Sequence, residues 1–458
     1  MSGPRNINCF FKPKSVVVIG VSRDQKKIGH VIYRNFVEGN FKGKVYPVNP
    51  NAEKILGRKC YKNVKEIKDK PDLAVISIPS EGVPKALEEC GKKGIRCVII
   101  ISGGFKEIGK TRLEEKLAKI AKKHRIRVVG PNCLGVYDPR SGVDTVFLPR
   151  YKLGRPKEGN IAFITQSGAV GSVVIDWMSR KGYKISKFVS YGNTVDVDEA
   201  DLIEYLAKDR KTKVICAYFE GVEEGRKFFE ITKRMAGKKP IIVLKGGTTK
   251  AGTRAVSSHT GSLAGSSEVY SAAFKQAGII QANNMEELFD FARALSSLPR
   301  PKGNRVQIIT DGGGFGVLLA DHIIKNGLRL ARMKKESIEA LRKTMPHYVI
   351  LRNPIDLTGD ADVERYQNAL NAAVKDDNVD MIGLIVLLQV PRLGGDVVDT
   401  IMNTAKASDK PIFLISAGGE YTEVLKKTLE EAGIPTFSCS ENAAQAMKVL
   451  YDFGKEER

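Results

Sequence analysis

The 458-residue sequence has no long hydrophobic run. Its unbroken apolar stretches, such as 97–101 and 384–388, fall far below the ~20 residues that span a bilayer. The opening MSGPRNINCFF lacks the apolar core of a secretion signal, so a cytoplasmic protein with no membrane partner is expected. Cysteine is sparse: seven residues, an odd number, at 9, 60, 90, 97, 133, 216 and 439. They form no CxxC pair and have no metal-ligand spacing to a histidine, so they read as reduced thiols and no metal site is expected on this chain. Aromatic residues make up 7% of the chain, and no basic motif carries interleaved rings. The formal net charge of +22 is spread as lysine over nearly every helical pattern, which favours anionic ligands and a heat-adapted surface over nucleic acid. Two nucleotide signatures are missing as well. There is no GxxxxGK[ST] loop, and the turn after the first strand is not GxGxxG.

What is present is an alternation of short β-branched runs with helical patterns, which predicts parallel doubly wound sheets. The length suits two to four domains, and three are predicted, at 1–150, 151–298 and 299–458. The first opens with SVVVIG, a glycine turn from Gly20 to Gly29, and the helical VIYRNFVEG. The second follows a basic connection, LPRYKLGRPKEG, and the third follows LPRPKG.

Four blocks of the second domain recur in order in the third. GNIAFITQSGAVGSVVIDWMSRKG matches NRVQIITDGGGFGVLLADHIIKNG, and GNTVDV matches NPIDLTGDAD. KVICAYFEG matches DMIGLIVLLQ, and KKPIIVLKGG matches DKPIFLISAGG. The repeat implies an internal duplication. The copies differ at two places: the second has Glu220 where the third has Gln389, and only the second has a histidine in the segment after its KKPIIVLKGG block.

That segment, 245–265, reads KGGTTKAGTRAVSSHTGSLAG and is too poor in apolar bulk to bury a face. It is predicted to be a mobile loop at the strand ends, where ligands bind in this architecture. A neutral imidazole at His259 is a competent nucleophile if one ring nitrogen is free and the other is fixed, and Glu220 is placed to do the fixing. The sequence equally allows a solvated surface histidine and a solvated strand-end carboxylate. Ser167 and Gly168 open a helix whose free N–H groups suit phosphate, or form a plain serine cap. Strand-end loops at 47–50, 79–80 and 102–107 read equally as turns or as a nucleotide-like ligand site. Cys133 in GPNCLG has nothing basic beside it and reads as packing.

SHTGSLAG, GPNCLG, TQSGAV, YPVNP and SGGFKEIG together resemble the NDP-forming acyl-CoA synthetase family, in its ADP-forming acetate–CoA ligase branch, over the whole chain. The resemblance implies a Rossmann-like CoA-binding domain followed by two flavodoxin-like domains. It makes His259 a phosphohistidine oriented by Glu220. It assigns CoA contacts to Gly20, Ser22, Pro47, Asn49, Ile78, Pro79, Ser102 and Gly103, and phosphate contacts to Asn132, Ser167, Gly168 and Gly261. CoA or acetyl-CoA and phosphate are then the substrates. ADP or ATP and Mg²⁺ belong to an ATP-grasp beta subunit, in a heterotetramer of two alpha and two beta chains. Two departures from the family pattern stand out. Asn51 follows YPVNP where a basic residue is common, with Lys54 as a substitute, and Asp311 stands in TDGGGFG where asparagine is usual. The alternatives weighed are a non-catalytic CoA-binding regulatory or scaffold protein and, third, a hydride-transferring dehydrogenase.

Overall fold

The computed structural model describes residues 7–260 and 266–456, with the backbone alone at 257–260 and 456. The chain divides into two compact units, Met1–Ala282 and Asn283–Arg458.

The first unit holds two sheets. Five parallel strands run in the order Lys44–Val48, Ser15–Ile19, Leu73–Ile76, Cys97–Ile100 and Arg127–Val129. Val16, Val17, Val18, Val75 and Ile99 are fully buried, as the β-branched runs predict for a sheet covered on both faces. The second sheet has seven strands, in the order Ile280–Ala282, Ile241–Lys245, Val214–Phe219, Glu158–Thr165, Ile185–Ser190, Gly135–Asp138 and Val143–Asp144. Its last two strands precede the predicted boundary at 150. They join by antiparallel pairing, Val189 opposite Val136, and one apolar core runs through both sheets, from Phe10 and Val16 to Val189 and Phe219.

Two sequence expectations are corrected here. The cysteines are not all thiols: Cys9 and Cys97 form a disulfide with a Cα–Cα distance of 6.2 Å. Phe10 and Phe11 are fully buried, and burying them lays the short turn Asn8–Phe10 against the strand that carries Cys97. The segment 245–265 is not a loop throughout, since Lys250–Thr260 is helical. Thr249 caps it by accepting the N–H of Gly252 at 3.0 Å, and Val256 is buried. One cap and one apolar anchor suffice to fold a stretch of small residues.

The connection LPRYKLGRPKEG is a strap rather than a loose linker. Asp144 is fully buried and takes Arg155 Nε and Arg150 Nη2 at 3.0 Å each. Arg155 also donates to the carbonyls of Leu148 and Leu153 at 2.8 Å.

The second unit repeats the pattern. Its sheet runs Ile350–Leu351, Ile355–Asp356, Arg305–Thr310, Met381–Ile385, Ile412–Ile415 and Thr436–Phe437, with Arg329–Leu330 also paired to Arg305–Thr310. From Arg305–Thr310 outward to Thr436–Phe437 the order reproduces that from Glu158–Thr165 to Ile280–Ala282, so the duplicated sequence blocks fold as duplicated α/β domains. Helix Met285–Ser297, before the predicted boundary at 298, packs on Ser440–Glu456 within this unit. The unexpected Asp311 is buried, and its two carboxyl oxygens lie 3.1 Å from the N–H of Leu387, which donates to them. Burial pushes it up to about 6.

Removing the carboxylate in Asp144→Ala leaves the Arg155 cation, whose side chain is 5% exposed, without its buried partner. A loss of about 3–5 kcal/mol is expected in denaturant unfolding of the first unit, against less than about 1 kcal/mol for Arg150→Ala at the exposed end. Glu199, buried in the first turn of helix Glu199–Lys208, gives a second test. Burial, followed by the charge of Asp198, pushes its carboxyl up to about 8. The folded state therefore holds a proton that the unfolded chain has released, and stability falls as pH rises from the ordinary carboxylate range to about 8. Glu199→Gln is expected to flatten that limb of the stability–pH curve and to raise the melting temperature at pH 8–9 relative to wild type.

Candidate active site

In the first unit two cavities lie at the carboxyl ends of the parallel strands, where turns such as those at Gly20 and Ser167 lead into helices. The larger, about 420 Å³, is bordered by Gly20, Ser22, Asn49, Ile78, Pro79, Ser102 and Gly103. These are seven of the eight residues expected to meet CoA. Pro47 is elsewhere: it lies within strand Lys44–Val48, and its carbonyl accepts the N–H of Tyr61 at 2.9 Å.

Two glycines shape this cleft. Gly20 has φ of +96°, and a Cβ on Gly29 would stand 2.1 Å from the Gly20 carbonyl oxygen. Only a bare backbone lets the start of helix Ile28–Glu38 close onto the turn, so that its free N–H groups face the cleft. Asn49 donates to the Val21 carbonyl at 2.6 Å and Ser102 Oγ to the Ile78 carbonyl at 2.6 Å. Sequence reasoning missed Lys27, which lines the cleft, and Arg23, whose guanidinium reaches the Asn51 carbonyl at 3.2 Å. Arg23 thus stands at Asn51, the position for which Lys54 was the expected substitute. Lys54 itself is in a short hairpin, paired with Lys59.

The second cavity, about 40 Å³, collects Asn132, Ser167 and Glu220, together with Lys106, Glu107, Gln166, Asn193 and Glu223. Ser167 is both a cap and a lining residue. Its Oγ accepts the N–H of Val170 at 3.3 Å at the start of helix Gly168–Lys181, which is the cap reading. Gly168 is the first residue of that helix and does not border the cavity. Asn132, with φ of +57°, hands its N–H to the Ser102 carbonyl at 2.9 Å and its amide to Asn193 Oδ1 at 3.3 Å.

Glu220 is 9% exposed and stands just past strand Val214–Phe219. Its Oε1 accepts the Tyr218 hydroxyl at 3.3 Å. Burial, then the Glu220 charge, pushes that phenol up to about 12. Two residues that carry no sequence signal fix the backbone here. Gln166 Oε1 accepts the N–H groups of Glu220 at 2.8 Å and Gly221 at 3.2 Å. Lys245 Nζ donates to the Glu220 carbonyl at 2.8 Å and sits 4.7 Å above the Tyr270 ring. Burial lowers the Lys245 pKa, which the Glu220 charge partly offsets.

Cys133 is packing, as its sequence context suggests: its Sγ lies 3.3 Å from the Ile100 carbonyl, and burial pushes its thiol up to about 12. His259 belongs by its backbone to helix Lys250–Thr260. Its side chain, and the whole of Gly261, lie outside the described residues.

Known proteins share this arrangement. A CoA binding domain family matches residues 14–139, the succinyl-CoA ligase like flavodoxin domain matches 158–295, and the ligase-CoA domain matches 306–455. The acetate–CoA ligase [ADP-forming] II subunit alpha of Pyrococcus furiosus is 41% identical over 98% of this chain and 98% of its own length. The acetate–CoA ligase [ADP-forming] I of Archaeoglobus fulgidus is 41% identical over 97% of this chain, which covers 63% of that protein. Among solved structures, the acetyl-coenzyme A synthetase 1 of Ca. Korarchaeum cryptofilum, in complex with phosphate and ADP, superimposes with a TM-score of 0.92. It is 38% identical and covers 99% of this chain and 98% of that one. The chain belongs to the ADP-forming acetate–CoA ligase family, matching its alpha subunits from end to end.

Proposed function

We propose that this chain is the alpha subunit of an ADP-forming acyl-CoA synthetase, an acid–thiol ligase that interconverts acyl-CoA, phosphate and ADP with carboxylic acid, CoA and ATP. Acetyl is the acyl group its relatives' names supply. The observation that carries this reading is the pairing of the two cavities. A cleft at one helix start holds the expected CoA residues, and a second, holding Ser167, Asn132 and Glu220, is reached through the same loop, since Ser102 and Gly103 border the first while Lys106 and Glu107 border the other.

The chemistry follows in three steps. A phosphate oxygen attacks the thioester carbonyl carbon, the C–S bond breaks, and the CoA sulfur leaves and takes up a proton. A ring nitrogen of His259 then attacks the phosphorus of the acyl phosphate, and the P–O bond to the acyl oxygen breaks to release the carboxylate. Last, an ADP oxygen attacks the phosphohistidine phosphorus and the P–N bond breaks to give ATP. Splitting the transfer keeps the thioester's free energy in bonds shielded from water. The free N–H groups at the start of helix Gly168–Lys181 and the Ser167 hydroxyl cradle the phosphate. Glu220, its backbone held by Gln166 and Lys245, orients the imidazole of His259 when that side chain reaches it.

The nucleotide is handled elsewhere. The sequence has no P-loop, relatives of matching length are named subunit alpha, and the A. fulgidus relative, of which this chain covers 63%, extends well beyond it. We assign ADP and Mg²⁺ to an ATP-grasp beta subunit, in a complex of two alpha and two beta chains in the cytoplasm. No helix among the described residues is long and apolar enough to cross a membrane.

The complex incubated with acetyl-CoA and labelled phosphate, or with γ-labelled ATP, is expected to carry acid-labile label on His259. His259→Ala is expected to abolish both labelling and ATP synthesis, and Glu220→Gln to slow turnover by up to about 10⁴-fold, the scale on which a catalytic imidazole loses its orienting carboxylate. Label surviving in His259→Ala sinks the reading, and CoA binding without any label in the wild type returns the scaffold alternative.

A further inference from the structure

Glu107 borders the phosphate cavity but is aimed back into its own loop. Its Oε1 accepts the N–H of Gly104 and, at 3.2 Å, that of Phe105. Its Oε2 accepts Phe105 N–H at 3.2 Å and the side-chain amide of Asn193 at 2.6 Å. The same Asn193 nitrogen donates to Glu114 Oε2 at 2.8 Å, which also accepts the N–H of Lys106 at 3.2 Å. Asn193 Oδ1 accepts from Asn132. One carboxylate from the first domain is thus tied to an amide of the second, and through it to the residue expected to touch phosphate.

The loop held in this way is short and confined. Gly104 has φ of +100°, and a Cβ on Gly103 would stand 3.1 Å from Asn132 Oδ1 and 3.3 Å from Glu107 Oε1. Gly103, which borders the CoA cleft, is therefore sandwiched between the two side chains that border the phosphate cavity. Burial raises the Glu107 pKa, but the Asn193 amide and the backbone N–H groups together hold it below the usual carboxylate range. It stays an anion and an acceptor, and it has no proton to give.

We infer that Glu107 is a positioning residue for the first chemical step, fixing the distance between the thioester end of the CoA cleft and the phosphate cradle through Asn193 and Asn132. The inference rests on the function proposed above and deepens it. It separates the two ways of loading His259. Acyl phosphate formation needs both cavities in register, whereas loading from ATP bypasses the CoA cleft. Glu107→Gln keeps size and one acceptor oxygen, but its NH₂ group must face either the Asn193 NH₂ or the N–H groups of Gly104 and Phe105, so one side of the junction loses its acceptor.

The test uses the complex and two labels. In Glu107→Gln, label reaching His259 from labelled phosphate with acetyl-CoA is expected to fall about a hundredfold relative to label reaching it from γ-labelled ATP. That is the scale on which a misplacement of ~1 Å acts. Asn193→Ala is expected to show the same change in ratio, and it carries the test should Glu107→Gln fail to fold. An unchanged ratio overturns the inference, as does an equal loss of both labels in a variant with wild-type melting temperature. A wild-type complex that accepts label from neither source overturns instead the functional reading beneath it.

Discussion

The site depends on a backbone seam between the first two domains. Residues 191–197 of the second domain run along 128–131 of the first. Gly130 N–H goes to Tyr191 O, Asn193 N–H to Pro131 O, Val195 N–H to Gly130 O and Val197 N–H to Val128 O, all at 3.0–3.1 Å. Arg127 locks one end. It is 7% exposed and donates to Asp196 at 2.7 Å and to Asp201 at 2.5 Å, while Asp196 also takes the N–H of Val128 at 2.9 Å. Gly192, with φ of +59°, has no room for a Cβ, which would meet the Pro131 carbonyl at 2.2 Å. The seam fixes where Asn193 stands, hence where Glu107 and Asn132 meet, and hence how the two cavities are spaced. Chemistry that passes a group from one cavity to the other needs that spacing held to within a fraction of an ångström.

Much of this fold is legible in the sequence because its signals are local. Runs such as VVVI and FVS fill strands buried on both faces, glycine turns mark the strand ends, and the repeated blocks forecast the repeated strand order. What escapes the sequence is non-local. Nothing around Gly135–Asp138 reveals that it pairs antiparallel with Ile185–Ser190, because the pairing depends on where the seam puts that chain. The 88-residue separation of Cys9 and Cys97 carries no spacing signal. The helix Lys250–Thr260 is hidden in the sequence because its Ser, Thr and Gly content suits a loop, and propensity is a weak prior against one cap and one buried valine.

The candidate site divides along the same line. Ser167, Asn132 and Glu220 come together as their motifs suggest, since each sits at a strand end or helix start whose geometry is set within a few residues. Pro47 does not join the other residues expected at the CoA cleft, because it lies within a strand and its carbonyl accepts the N–H of Tyr61. Gln166, Asn193, Lys245 and Lys27 went unseen. Each acts by reaching a backbone or amide group far away in sequence, or by bordering a cleft that closes only in three dimensions, and an isolated Gln or Lys in a string of letters does not say what it reaches.

The excess of carboxylates around a phosphate-sized cavity looks adverse until their partners are counted. The Glu107 anion is hydrogen-bonded by backbone and amide N–H groups, and Glu223 is paired with the Lys106 ammonium. Glu114 is largely buried, and desolvation shifts it toward its neutral form. What helix Gly168–Lys181 presents to the cavity is its cap Ser167, beside the side chains of Lys106 and Glu220, and the potential at a helix start favours an anion within about one turn. That balance matters for a reaction of three transfers. A cluster of unpaired arginines would bind phosphate more tightly, but it would bind ground state and transition state alike, and uniform binding does not speed the step that follows. In the mechanism proposed above each stop must release its phosphoryl group to the next, and a cradle of amide dipoles, unlike a cluster of cations, would hold the group firmly enough to position it and weakly enough to let it go.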